Sequence, residues 1–330
     1  MADQFALGLD FGGTKVLAAV VNVTTGEVVA TSKKRTKATD GPDELIARLV
    51  GTSELAIKGA KLPKKSKITG IGVGIAGQVD AERGILIGTP NLSQATVDLP
   101  IAARLSDHFG VPTALRNDVQ VAALGESEFG AGKAAPDFLC IFVGTGIGGA
   151  LVRGGRLLSG ASGAAGEIGH LVVAAGGRIC GCGGRGHLEA YASRTAITKV
   201  LQAELHRGRP SSLRDIADAT DEDGGAAFRS GVLAKALEGG DELTIEAVTE
   251  AGYYLGLGIA SAINILNPSR IVIGGGVIEA VPMLYDIAVA RARNEALPAA
   301  SKAATFAKAG LGDNAGVVGA ALLGALATSS

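Results

Sequence analysis

Phe5-Ala-Leu-Gly-Leu-Asp10-Phe-Gly-Gly-Thr-Lys15-Val-Leu-Ala-Ala-Val20-Val-Asn-Val23 sets an apolar run, a glycine turn and a β-branched run in sequence. Far downstream, Asp137-Phe-Leu-Cys140-Ile-Phe-Val-Gly144-Thr-Gly-Ile-Gly-Gly149-Ala-Leu-Val-Arg153 does the same. Each reads as strand, turn, strand; Thr25-Gly26 and Gly154-Gly155 add a further turn to each, making two antiparallel meanders. Two such openings predict an α/β fold of duplicated mixed-sheet domains closing around a nucleotide. Each glycine turn would offer backbone N–H groups to phosphate oxygens. Taken singly, either turn reads as an ordinary hairpin. The pair, with Asp10 placed to hold a magnesium ion directly or through water, favours phosphate.

Working outward, a helix is predicted from the start signal at residues 40–44 to about Lys58, on the spacing of Leu45, Ile46, Leu49 and Val50. Strands follow at 68–76 and 112–116, and helices at 98–109 and 119–128. The middle, 193–250, alternates helical patterns with polar breaks. An apolar helix is expected at 252–266, a strand at 270–273 running into Gly274-Gly-Gly276, and a closing apolar helix at 314–326.

Two stretches fit Gly-x-Gly-x-x-Gly: Gly72, Gly74, Gly77 and Gly144, Gly146, Gly149. Neither suits a dinucleotide fingerprint, which needs a helix N-terminus after the loop. A strand follows Gly149, and Gln78-Val-Asp80 after Gly77 reads as a turn. A Walker A loop is absent.

The densest chemistry is Gly166-Glu-Ile-Gly-His170 with Cys180-Gly-Cys182-Gly-Gly-Arg-Gly-His187-Leu-Glu189. His170, Cys180, Cys182 and His187 form a plausible Cys2His2 set for tetrahedral zinc, a closed and therefore structural site. The competing reading is two free thiols on a Gly-rich surface loop. Glu167 and Glu189 then remain as acceptors for the hydroxyls of a polar ligand.

The 330 residues, 47% apolar, suffice for two domains. Lys+Arg 31 against Asp+Glu 32 gives net charge −1, with no field for nucleic acid and no polybasic membrane patch. Partners are sought among small molecules. No signal peptide or spanning segment is read, and three cysteines, two of them one residue apart, build no disulfide framework; a cytoplasmic protein is expected. Fifty glycines against four tyrosines and no tryptophan point to tight turns and close backbone approaches.

The chain resembles the ROK (repressor, open reading frame, kinase) family within the actin/hexokinase/Hsp70 superfamily. Leu9-Asp10-Phe-Gly-Gly-Thr-Lys15 looks like its first phosphate motif, Gly144 to Gly149 the second and Gly274-Gly-Gly-Val277 the adenosine motif. Residues 166–170 and 180–189 resemble its signature. The resemblance implies a two-lobed actin-like ATPase (ribonuclease H-like) fold. One lobe would be residues 1–116 plus 312–330 and the other 117–311, with hinges near Asn117 and Gly312. It implies ATP-dependent phosphorylation of a hexose 6-hydroxyl, glucose first, by a homodimer using Mg-ATP. Asp118 would be the catalytic base; Asn91, Asn117, Asp118, Glu167, His170 and Glu189 would hold the sugar. Asp10, Gly12, Gly13, Thr14, Lys15, Gly144, Thr145, Gly146, Gly274 and Gly275 would hold the nucleotide. By residues alone, Asp118 is equally a helix N-cap. His187 stands where the family usually has a third cysteine. His170 would serve twice, one ring nitrogen on zinc and the other toward a sugar hydroxyl.

Alternatives within the superfamily are another hexose kinase (mannose, fructose or an N-acetylated sugar), a sugar-sensing repressor, and an activator ATPase with an iron–sulfur cluster on Cys180 and Cys182. The repressor needs an N-terminal helix-turn-helix, for which Asp10 stands too near the start. Neither the hexose nor the donor, ATP against polyphosphate, is fixed by these residues.

Overall fold

The structure, a computed structural model, describes residues 3–12, 15–35, 41–64, 66–89, 97–220 and 228–328. The chain opens with β1 (Phe5–Phe11), β2 (Lys15–Asn22) and β3 (Glu27–Arg35), an antiparallel meander as expected. β1 and β2 are buried almost throughout, whereas β3 alternates and ends in Lys33, Lys34 and Arg35, charges that blunt a sheet edge. Then come α1 (Pro42–Ala60), β4 (Ile68–Ile75), the hairpin β5 (Gln78–Asp80) and β6 (Ile85–Gly88), α2 (Ile101–Phe109), β7 (Thr113–Asn117) and α3 (Asp118–Phe129). β4 runs parallel to β1 and β7, giving the order β3-β2-β1-β4-β7.

The second half repeats this plan with β8 (Phe138–Val143), β9 (Ile147–Arg153) and β10 (Arg156–Leu158). Five helices follow: α4 (Glu189–Ala192), α5 (Arg194–His206), α6 (Leu213–Thr220), α7 (Ser230–Glu238) and α8 (Glu242–Leu266). β11 (Arg270–Gly274), α9 (Gly276–Ala280), α10 (Pro282–Glu295), α11 (Pro298–Ala303), β12 (Thr305–Lys308) and α12 (Ala315–Leu326) complete the chain. β11 is parallel to β8 and β12, and the order β10-β9-β8-β11-β12 is that of the first sheet. The chain forms two compact units, residues 1–136, 150–165 and 310–330 in one and 137–149 and 166–309 in the other.

In the first unit the sheet uses alternation to build two different faces. Leu7, Leu9, Phe11, Ile71, Val73 and Ile75 fill the core with Leu45, Ile46 and Leu49 of α1, each contributing about 1.5–3 kcal/mol by burial. The opposite face carries Gly8, Gly70 and Gly72. A Cβ there would collide with the carbonyl oxygens of Val317, Gly324 and Ala320, so α12 lies backbone to backbone on β1 and β4. Glu126 of α3 is fully buried, its carboxylate accepting the N–H groups of Ala131 (2.7 Å), Gly310 (2.9 Å) and Leu311 (2.9 Å). A buried charge persists only when bonded in this way.

Three readings are corrected. Gln78–Asp80 is a strand, because it pairs with Ile85–Gly88. The helix expected from Asp98 starts at Ile101. The helix expected from Gly252 starts at Glu242, capped by the Asp241 carboxylate on the Thr244 N–H (2.9 Å). Its glycines are contact points: a Cβ at Gly252 would lie 2.7 Å from Ile287 Cγ2, and one at Gly256 2.5 Å from Arg291 Cβ, both on α10.

Candidate active site: a phosphate turn beside a thiol–imidazole knuckle

Within the second unit, residues 171–188 fold back on themselves through short backbone bonds. The Leu188 N–H donates to Leu171 O (2.8 Å), Gly186 N–H to Arg178 O (2.8 Å), Cys180 N–H to Gly184 O (2.8 Å) and Gly183 N–H to Cys180 O (3.0 Å). The resulting knuckle carries Cys180, Cys182 and His187, and the short 3-10 turn Ile168–His170 brings His170 to them. One ligand atom from each of the four lies within 4.8 Å of the others. His187 Nδ1 is 3.2 Å from Cys182 Sγ and 3.4 Å from His170 Nδ1. A tetrahedral zinc with bonds of about 2.0 Å to nitrogen and about 2.3 Å to sulfur needs edges of about 3.3–3.5 Å between such atoms. The donor set suits zinc in its chemistry, and the two His187 distances match such edges. Burial above all pushes the Cys180 thiol up to about 11, with Cys182 and Glu189 adding to it and the Cys182 backbone N–H opposing. A cation among these groups reverses that preference.

Glu189 heads α4 and joins this knuckle to the glycine turn. One carboxylate oxygen accepts the Ile147 N–H (2.9 Å), and the other lies 3.6 Å from Cys180 Sγ. Two of these glycines are required sterically: a Cβ at Gly146 in the turn would strike the Glu189 carboxylate, and one at Gly149 in β9 the Gly166 carbonyl. Glu167 is held above the usual carboxylate range, chiefly by burial, with His170 pulling it down and Glu189 pushing it up. The structure thus brings Glu167, His170 and Glu189 together at the turn.

The same end of the second sheet receives Gly274–Gly275. Gly274 pairs with Phe142 at the carboxyl ends of β11 and β8. Gly275, at φ +98°, passes so close to Val143 that a Cβ would lie 2.5 Å from its carbonyl oxygen. Carboxyl ends of parallel strands are where open α/β sheets bind ligands.

In the first unit, Asp10 lies on the α12 side of β1, against Gly316. Burial first, then the neighbouring Asp118, push its carboxyl up to about 6, with Lys15 opposing and Asp313 adding. The N-cap of α3 is Asn117, whose side chain accepts the Val119 N–H (2.9 Å) and donates to Gly77 O (3.3 Å). Asp118 is the first helical residue, also accepting the Val119 N–H (2.9 Å). Gly12 N–H donates to Lys15 O (3.3 Å) across the first turn. Gly13, Thr14 and Asn91 lie outside the described residues.

Sequence reasoning missed Arg194 and Thr195. Ser193 caps α5 by accepting the Ala196 N–H (3.1 Å), and the first helical residues then grip the turn. Arg194 N–H donates to Gly144 O (2.9 Å), the Thr195 hydroxyl to Thr145 O (2.8 Å), and Arg194 Nη2 to Thr145 Oγ1 (2.7 Å). The available signal was a Ser cap directly after the Glu189 motif. Among the described residues no helix is long and apolar enough to cross a membrane.

The ROK family profile matches residues 6–326. Over 320 residues the chain is 34% identical to the glucokinase of Halalkalibacterium halodurans, covering 97% of this chain and 94% of that one. A ROK family glucokinase from Streptomyces griseus, solved in complex with glucose and AMPPNP, matches with a TM-score of 0.82 and 29% identity, over 97% of this chain and 99% of that one. A ROK family transcriptional regulator, a homologue of the Escherichia coli Mlc protein, matches with a TM-score of 0.83 and 28% identity, over 99% of this chain and 78% of that one. With the two sheets in the same strand order, these matches establish the duplicated actin-like ATPase fold.

Proposed function

The chain belongs to the ROK family, and on that footing we propose that it transfers the terminal phosphoryl group of ATP to the 6-hydroxyl of a hexose, glucose first. The observation that supports this most is the junction at Glu189, whose carboxylate meets the phosphate turn at Ile147 and the knuckle at Cys180. The likeness to a glucokinase that binds glucose and AMPPNP points the same way.

In this reading Glu167, His170, Glu189, Asn91, Asn117 and Asp118 orient the sugar. Asp118 accepts the proton of the 6-hydroxyl as its oxygen bonds to phosphorus and the bond to the departing ADP oxygen breaks. Phosphoryl transfer of this kind depends on alignment and charge neutralisation more than on covalent help. Asp10 would hold magnesium, which would neutralise charge on the phosphates; Gly12, Gly13, Thr14 and Lys15, with Gly144, Thr145 and Gly146, hold the phosphates, and Gly274 and Gly275 the adenosine. Bound by His170, Cys180, Cys182 and His187, zinc would supply a closed structural brace that orients the His170 ring. A homodimer in the cytoplasm completes the proposal.

An ADP-release assay over glucose, mannose, fructose and N-acetylated hexosamines tests it, with ATP and polyphosphate as donors. Glucose with ATP is expected to give the highest kcat/KM. Absence of sugar-dependent ADP release across the panel would favour the sugar-sensor reading that the likeness to a regulator carries.

A further inference from the structure

Among the described residues, one cation at the phosphate turn has no carboxylate to neutralise. Arg83, Arg104, Arg178, Arg207, Arg209 and Arg291 each pair with an Asp or Glu. Arg194 has no such partner among the described residues, and its guanidinium spends one donor, Nη2, on the Thr145 hydroxyl. Among the described residues the other N–H groups of that fork have no partner.

Its surroundings are prepared for an anion. The Arg194 and Thr195 backbone N–H groups and the Thr195 hydroxyl hold the carbonyls of Gly144 and Thr145 toward α5. The N–H groups of Thr145 and Gly146 carry no hydrogen bond among the described residues. Two backbone donors, a hydroxyl and a guanidinium with no carboxylate partner among the described residues are therefore set at Thr145 and Gly146. A phosphate oxygen bonded to that hydroxyl at about 2.7 Å lies within about 5.4 Å of Nη2, inside the swing of an arginine head.

We propose that Arg194 is a ligand of the donor's phosphate chain, closing from Thr145 onto its non-bridging oxygens and neutralising charge there during transfer. This rests on the kinase reading above. A guanidinium is suited to the task because it stays charged and meets two phosphate oxygens in a fork. Positioning and charge neutralisation are what this reaction asks of a protein. The competing role, a tether that only fixes Thr145, needs the hydrogen bond and not the charge.

The experiment compares Arg194→Ala, Arg194→Gln and Arg194→Lys by steady-state kinetics and by calorimetry with AMPPNP and with AMP. For Arg194→Ala the expected result is a roughly tenfold weaker AMPPNP affinity and a matching rise in donor KM, with AMP and glucose binding within twofold of wild type. Lys should recover most of the loss and Gln little, and added salt should narrow the gap between wild type and Ala. Donor KM and AMPPNP affinity within twofold of wild type in Arg194→Ala would overturn the proposal, as would recovery by Gln. Equal losses for AMP and AMPPNP would do the same. Wild-type protein that phosphorylates no hexose would sink the kinase reading while leaving the AMPPNP comparison decisive for Arg194.

Discussion

Gly72-x-Gly74-x-x-Gly77 and Gly144-x-Gly146-x-x-Gly149 share a spacing but differ at their first two glycines. In the first, Gly72 and Gly74 occupy alternate positions of β4, with Gly70 before them. What fills the space of their missing side chains is protein: the Ala320 carbonyl of α12 at Gly72, and Val121 of α3 at Gly74. In the second, Gly144 has nothing within 4 Å of a Cβ, and Gly146 faces the Glu189 carboxylate. One stretch is a bed for helices, the other begins as a turn beside the Glu189 carboxylate. A glycine pattern acquires meaning from what approaches it. A period of two inside an unbroken strand signals packing; glycines between two strands signal a turn that can receive a ligand.

Gly72→Ala is the most severe test of that contrast. Its methyl group must displace the backbone of α12, which cannot give like a flexible side chain, so a loss of about 3–5 kcal/mol is expected. Thermal unfolding reads the effect. A Gly72→Ala protein melting as wild type does would mean that α12 does not lie on β4 as described. Gly146→Ala should do the reverse: it should fold with a near-normal melting temperature and lose roughly a hundredfold or more in kcat/KM for the sugar, because the methyl group pushes the Glu189 carboxylate off the turn. Full activity in that variant would remove Glu189 from the site.

What was legible in the sequence follows the same division. Strands β1, β2, β8 and β11 announced themselves as apolar runs, and the order of turns gave the duplication. The grouping of Glu167, His170, Cys180, Cys182, His187 and Glu189 was legible because the residues crowd one stretch. Partners far apart in sequence were not. Glu126 looks like any surface glutamate on a helix until Gly310 and Leu311 arrive from the far end of the chain. Gly252 and Gly256 look like breaks in α8 until α10 packs on them. Arg194 looks like a solvated helix start until Thr145 is seen beneath it.

The knuckle sharpens the comparison at intermediate scale, since Glu189 joins the open turn to Cys180. Protein purified without chelator is expected to carry about one equivalent of zinc per chain. Cys182→Ser should lose it, weaken glucose binding roughly tenfold through the His170 ring and Glu189, and leave the first unit's stability unchanged. Wild-type protein with no zinc by elemental analysis would return Cys180 and Cys182 to the status of free thiols.

The smallest effect concerns Asp10, which shares the α12 side of β1 with Gly8 and is buried by the same close approach. Its carboxyl is raised from 3.8 to about 6, chiefly by burial and then by Asp118. Between those values the folded chain binds more protons than the unfolded one, so this group makes stability fall as pH rises from about 4 to about 6 and then level off. Asp10→Asn removes the slope. The variant should match wild type in melting temperature near pH 4 and exceed it above pH about 6, by about 1 kcal/mol once solvent screening is allowed for, while losing phosphoryl transfer. The helix that forces glycine on β1 and β4 would then also be what holds an unstable charge ready for a cation. Melting temperatures of variant and wild type that stay equal from pH 4 to pH 8 would show that Asp10 is solvated, and that α12 presses on the glycines alone.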